Sequence, residues 1–226
     1  MKKKLKDYGF LLGFLALGAF LFVQDLCSQL FTAPGNIGDT VLGLTALVGL
    51  RRKTGGAKPG GNKRLYIAAV DWFQDQEFPT YADGLAGEIT GDIPLLQLPT
   101  PMKFIEVQAA YDNTKFNFAS KGKVGSQSFE QTITFKINRM DKEAIAFATR
   151  LLNVPVVIIA RGMDNINYVI GNTESPLELE SNADSGAKGS DEKFITFTCK
   201  NDGYMHPVLP LADDVVFPVE ALPAAA

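Results

Sequence analysis

Ser126–Asn138 reads SQSFEQTITFKIN, and the alternation in this stretch decides the fold. Phe129, Gln131, Ile133, Phe135 and Ile137 fall on one face. Glu130, Thr132, Thr134 and Lys136 fall on the other. Side chains of a strand point alternately to opposite faces, so a period of two marks a half-buried antiparallel strand.

Upstream, Lys103–Tyr111 and Thr114–Ser120 read as a second strand pair, with Asp112–Asn113 as the turn between them. Their apolar members are Ile105, Val107, Phe116 and Phe118. Leu65–Val70 (LYIAAV) is a short apolar strand. Asp71–Pro101, rich in Pro, Gly and acids, predicts an irregular excursion with short strands near Glu88–Leu98. An excursion this long in a compact domain is usually functional or interfacial, and it holds the aromatics Trp72, Phe73 and Phe78. Trp72 and Phe73 would also suit a stacking platform, although large aromatics more often serve burial.

Downstream, Asp141 offers a helix N-cap. Ala144, Ile145, Ala148, Leu151 and Leu152 recur with helical spacing, and Asn153 and Pro155 end the helix. Ile145, Ala148, Leu151 and Leu152 are its expected core residues. Val156–Ala160 (VVIIA) is apolar throughout and fits the centre of a sheet. Asn165–Gly171 pairs with it as a hairpin across Gly162–Met163–Asp164, and Pro176–Glu180 extends the pattern. Ser181–Ser190 reads as a polar loop, and Lys193–Lys200 (KFITFTCK) as another alternating strand. The fold class is therefore α+β and mainly antiparallel: a sandwich or partial barrel with one flanking helix.

Residues 1–50 differ from the rest. Four lysines lie between Met1 and Lys6, and Tyr8–Val23 (YGFLLGFLALGAFLFV) carries no charge. A second apolar stretch, Val41–Leu50, ends in Arg51–Arg52–Lys53, with Pro34, Gly35 and Gly38 between the two. One or two hydrophobic helices are expected. Membrane contact through residues 8–50, burial in an assembly and a cleaved signal all fit such flanks and lengths. Residues 51–63 (RRKTGGAKPGGNK) read as a flexible Gly/Lys-rich linker. Its glycines do not open a phosphate loop, because Gly61–Asn62 follows Gly60 where Lys and Ser/Thr belong. The β domain then spans 64–210, and a loose tail 211–226.

Chemistry is thinly represented. The 226 residues carry a net charge of −3, without the basic excess of a general nucleic-acid binder. Cys27 and Cys199 stand in unlike contexts and make no disulfide framework or metal site. His206 lacks a catalytic partner nearby in sequence, so a surface or packing role is expected. Asp184, Asp191 and Glu192 do not follow the spacing of a calcium loop. We therefore expect no catalytic residues, no metal and no cofactor.

Four stretches in order carry a resemblance: RLYIAAVD, KFIEVQAAYDNTKFNFASKGKVGSQSFEQTITFKINRMD, AIAFATRLLNVPVVIIARGMDNINYVIG and PLELESNADSGAKGSDEKFITFTCKND. Together, from Leu65 to about Pro207, they resemble structural proteins of phages infecting Bacteroidetes, a family related to phage tail-tube subunits. The resemblance covers about two thirds of the chain. The hydrophobic first fifty residues have no counterpart in that pattern. The resemblance implies a homo-oligomer, often of hexameric rings that stack into a conduit in the virion tail. Its partners would be itself and other virion proteins, with DNA only as passing lumen contents. On that expectation, Ser126–Asn138 and Lys103–Ser120 are the candidates for a sheet shared between subunits. Their residues are Phe129, Gln131, Ile133, Phe135, Ile137, Ile105, Val107, Phe116 and Phe118. Asp71–Pro101, with Trp72, Phe73 and Phe78, and Ser181–Ser190 are the candidates for ring-to-ring contacts. The alternative is a membrane-tethered β-sandwich that binds a ligand or partner.

Overall fold

The computed structural model describes residues 60–222, apart from 75, 98, 99, 111 and 112. The chain divides into two units between Thr54 and Gly55, and the described residues belong to the second. The expectations for the hydrophobic segment 1–50, for Cys27 and for the linker up to residue 59 lie outside the described residues.

Among the described residues, eleven strands fall into two sheets. The larger contains β1 (Asn62–Ala69), β2 (Phe104–Val107), β5 (Pro155–Gly162), β6 (Asn167–Ile170), β7 (Leu177–Glu178), β10 (Leu209–Leu211) and β11 (Val219–Glu220). Its order is β10-β6-β5-β1-β2-β11, with β7 also paired to β5. The smaller contains β3 (Lys115–Lys123), β4 (Ser126–Ile137), β8 (Glu180–Asp184) and β9 (Phe194–Tyr204), in the order β3-β4-β9-β8. Every pairing is antiparallel except β11 with β2. The β-rich α+β class is thus present as an open two-sheet arrangement.

The larger sheet is covered on both faces, which explains why Val156–Ala160 of β5 is apolar throughout. Val156, Ile158 and Ala160 point into one core, and Val157 and Ile159 into another. The first core lies between the sheets and receives Ile133, Phe135, Ile195, Phe197 and Cys199 from the smaller one. The second lies under the 71–101 excursion and the C-terminal segment.

Helix α1 (Tyr81–Ala86) was not expected from the sequence, yet its start is well specified. The Thr80 hydroxyl accepts from Asp83 N–H, and Asp83 Oδ2 accepts from Thr80 N–H at 2.9 Å, a reciprocal capping box. Helix α2 (Lys142–Arg150) starts at the predicted cap, with Asp141 Oδ1 accepting from Ala144 N–H at 2.9 Å. Its buried stripe is Ala144, Phe147, Ala148 and Leu151, the i, i+3, i+4, i+7 set. This corrects two expected core residues: Ile145 is 50% exposed and Leu152 is 63% exposed. They are seven residues apart, so they share a neighbouring face that turns outward. Ala148 and Leu151 pack where they were expected.

Three further expectations are corrected. Lys103–Tyr111 and Thr114–Ser120 do not form a hairpin: β2 pairs with β1 and β11, whereas β3 pairs with β4. The chain between them crosses from one sheet to the other, so Ile105 and Val107 belong to a different layer from Phe116 and Phe118. Residues 88–97 make isolated bridges, Phe73 to Leu95 and Ile89 to Leu211, instead of strands. The segment 211–222 is not loose, since β11 pairs with β2 and Phe217 packs edge-on to Tyr66 and Phe104 at 5.1 and 5.4 Å.

Candidate interaction surface

The described residues contain no cluster of three or more His, Cys, Asp or Glu able to hold a metal. His206 is 3% exposed, and its ring Nδ1 lies 2.9 Å from the Pro207 carbonyl. A Cβ on Gly84 would stand 2.8 Å from His206 Cβ, so glycine there lets α1 close onto this side chain. Packing is its role in the fold.

A cleft of about 280 Å³ lies where β1, β3 and the β5–β6 turn meet. In it the Tyr168 hydroxyl donates to Asp164 Oδ2 at 3.1 Å, and Asp164 Oδ1 accepts from Ile166 N–H at 3.2 Å. Burial, then the hydrogen bond to Asp164 and its charge, hold the Tyr168 hydroxyl above its ordinary pKa. The pair braces the turn and keeps the phenol protonated.

Cys199 is 1% exposed, and burial pushes its thiol up from 9.0 to about 12. Two outcomes follow for a Cys27→Ser chain. Cys199 will stay unlabelled by a thiol reagent at pH 8 until denaturant is added. Because the folded state keeps a proton that the unfolded state releases, its contribution is intact below pH 9.0 and is lost as pH rises toward 12. Melting temperature should therefore fall on the alkaline side, and Cys199→Ala should flatten that fall.

Two of the three expected contact residues of the excursion, Phe73 and Phe78, are corrected by their burial. They are 5% and 3% exposed and stack at 5.7 Å inside the second core, whereas Trp72 is only partly buried at the margin of that core. Residues buried within one copy cannot meet another. The excursion instead presents Tyr81 and Leu85 of α1 outward.

The expected shared-sheet residues divide in the same way. Ile133, Phe135 and Gln131 are fully buried, Phe129 and Ile137 are partly buried, and all five face the inter-sheet core. From Phe129 to Thr134 the backbone of β4 is paired on one side to β3 and on the other to β9, so these residues offer no margin of their own. Val107 is buried in the first core, Ile105 is 37% exposed on the larger sheet, and Phe116 rests against Tyr168 at 5.1 Å. Phe118 is 51% exposed, with its ring 6.1 Å from Phe129.

The margins are where the two sheets differ. On the larger sheet, Ile89 bridges the outer side of β10: its N–H donates to the Pro210 carbonyl and its carbonyl accepts from Ala212 N–H, each at 2.9 Å. The other margin, β11, is two residues long. On the smaller sheet, β3 runs nine residues in unbroken register from Lys115↔Thr134 to Lys123↔Ser126. Among the described residues its outer side has no backbone partner. The opposite margin, β8, has every residue exposed. Beyond Phe129↔Tyr204 the β3–β4 hairpin projects past β9, with Val124 at its tip 97% exposed. Gly122 (φ +104°) is required there, since a Cβ would fall 2.4 Å from the Ser126 carbonyl oxygen. Sequence reading missed β8, which lies in the expected loop 181–190. It also missed the inward-facing Gln131 as a polar anchor, although its place on the apolar face of an alternating strand was the available signal.

No helix among the described residues is long and apolar enough to cross a membrane. Comparison with protein-family models, with curated proteins and with solved structures finds no match.

Proposed function

We propose that this chain is a structural subunit of a virion tail, with a tail-tube-like sandwich, that self-assembles into rings or a tube by pairing the sheet margins of neighbouring copies. One observation carries the reading: among the described residues the smaller sheet leaves both margins open, while the larger sheet has one bridged and the other reduced to two residues. Open, paired-length margins are templates for further strands, and proteins that do not use them usually cover them. The ordered resemblance of Leu65–Pro207 to the phage structural-protein family points the same way. The outward face of the smaller sheet carries Glu130, Thr132, Thr134, Lys136, Thr196, Thr198 and Lys200, a polar lining suited to a wet conduit through which DNA passes. Hexameric rings are the assembly the resemblance implies.

Negative-stain electron microscopy of the purified full chain tests this. Rings or tubes are expected. Dispersed monomers after detergent extraction would overturn it and favour a membrane-tethered binding module.

A further inference from the structure

The two open margins of the smaller sheet carry opposite charge. β3 (KFNFASKGK) holds Lys115, Lys121 and Lys123 and no acid. β8 (ESNAD) holds Glu180 and Asp184 and no base. All five lie on one face of the sheet. Lys115, Thr134, Thr198 and Glu180 form a single row across the four strands, and the other charged residues lie an even number of residues from it, Lys121 six, Lys123 eight and Asp184 four. Lys121 reaches Glu130 at 3.8 Å, with its side chain half exposed. Among the described residues Lys115, Lys123, Glu180 and Asp184 make no ion pair.

Resting on the proposed self-assembly, we infer that β3 of one copy pairs antiparallel with β8 of the next, and that charge forbids the two like-with-like pairings. The direction follows from the sheet order. Three successive antiparallel steps make β3 and β8 run oppositely, so copies related by rotation bring them together antiparallel. Like charges directly opposite each other across two strands destabilise, and opposite charges stabilise. A β3–β3 contact would face lysines with lysines, and a β8–β8 contact acids with acids. Lysines on a sheet edge commonly guard against stray pairing. Here the guard rejects a twin and admits an acidic strand. A head-to-tail contact of this kind leaves a free margin at each end, so it propagates into a ring or filament, where a twofold contact would stop at a dimer.

The stagger adds a geometric consequence. From the shared row, β3 runs toward Lys123 and β8 runs the opposite way along the sheet toward Asp184. Full pairing of β8 on β3 therefore slides each copy by about four residues, roughly 13 Å along the strands. A closed ring absorbs such a slide by tilting its strands against the ring axis.

Charge-swap variants of the full chain test the inference, with assembly followed by sedimentation and electron microscopy. K121E/K123E alone and E180K/D184K alone should each need about tenfold more protein to assemble. Mixing the two variants one to one should restore assembly, because each basic margin then finds an acidic one. The fourfold variant K121E/K123E/E180K/D184K should also assemble. In 1 M salt, where screening acts over about 3 Å, the single-margin variants should approach the wild type. Circular dichroism and melting temperature establish that each variant is folded. Folded variants that assemble like the wild type, or that fail to rescue one another on mixing, overturn the β3–β8 assignment and leave self-assembly standing. A wild-type chain that never assembles overturns the proposed function itself.

Discussion

Phe197→Ala will lower folding stability by about 3–5 kcal/mol, the range for removing a buried aromatic ring. Phe197 is 1% exposed, stacked on Phe135 at 4.9 Å and met edge-on by Phe147 at 5.8 Å. These neighbours belong to three elements, β9, β4 and α2, so the ring is the joint that seats the helix on the sandwich. Its loss leaves a hole bounded by a paired strand on one side and a capped helix on the other, and neither can settle into it cheaply. Urea denaturation reads the change as a shifted midpoint at an unchanged slope. Phe147→Ala should cost less, because that ring is only partly buried. Ile145→Ala should stay within about 0.5 kcal/mol of wild type, as an exposed position does. A larger loss at Ile145 than at Phe147 would show that the wrong helix face has been assigned to the core.

Elements whose side chains report their own environment were legible in the sequence. The alternation of β4 and β9, the doubly buried run of β5, its hairpin with β6 and the Asp141 cap all follow from local pattern. What was not legible depends on partners distant in sequence. The segment between β2 and β3 does turn, with the Thr114 hydroxyl donating to the Ala110 carbonyl at 2.9 Å, but it turns between layers. A turn signal does not say which sheet the chain enters next. β8 has no apolar periodicity because all five residues face solvent, so it exists only through backbone pairing to β9. The helix face was read too wide: Ala144, Ala148 and Leu151 pack, Ile145 and Leu152 do not, and Phe147 was missed. Ile145 is a better apolar residue than Ala144, yet the close approach of α2 to the sandwich favours the smaller side chain at the point of contact, and composition does not reveal that distance. The candidate surface suffered most. Large aromatics in a loop advertise burial and contact equally, and Phe73 and Phe78 resolve to burial only once the larger sheet is seen to have a second covered face.

Gln131→Leu should cost about 2–4 kcal/mol even though it puts an apolar residue of similar size into a core. Gln131 is fully buried at the middle of β4. Its Oε1 accepts from Gly171 N–H at 2.8 Å, and its Nε2 donates to the His206 carbonyl at 3.3 Å. One side chain thus satisfies two backbone groups at the ends of β6 and β9, pinning the smaller sheet to the larger. Leucine would leave both of them buried without a partner. Gly171, at φ +82°, presents its N–H to this side chain from a conformation that glycine adopts without strain. Gln131→Glu separates the two contacts. Its carboxyl still accepts from Gly171, but when ionised it sets a charge against the His206 carbonyl in a dry site. Burial and that carbonyl both raise the folded-state pKa above the ordinary value of about 4.3. The protonated acid can donate as the amide does, so stability is present below the unfolded pKa and is lost as pH rises through the folded one. The Glu variant should therefore fall below the Leu variant at pH 7 and overtake it near pH 4. A Glu variant whose stability is flat across that range would mean that the site is wetter than its burial indicates, and that Gln131 does not pin the two sheets together.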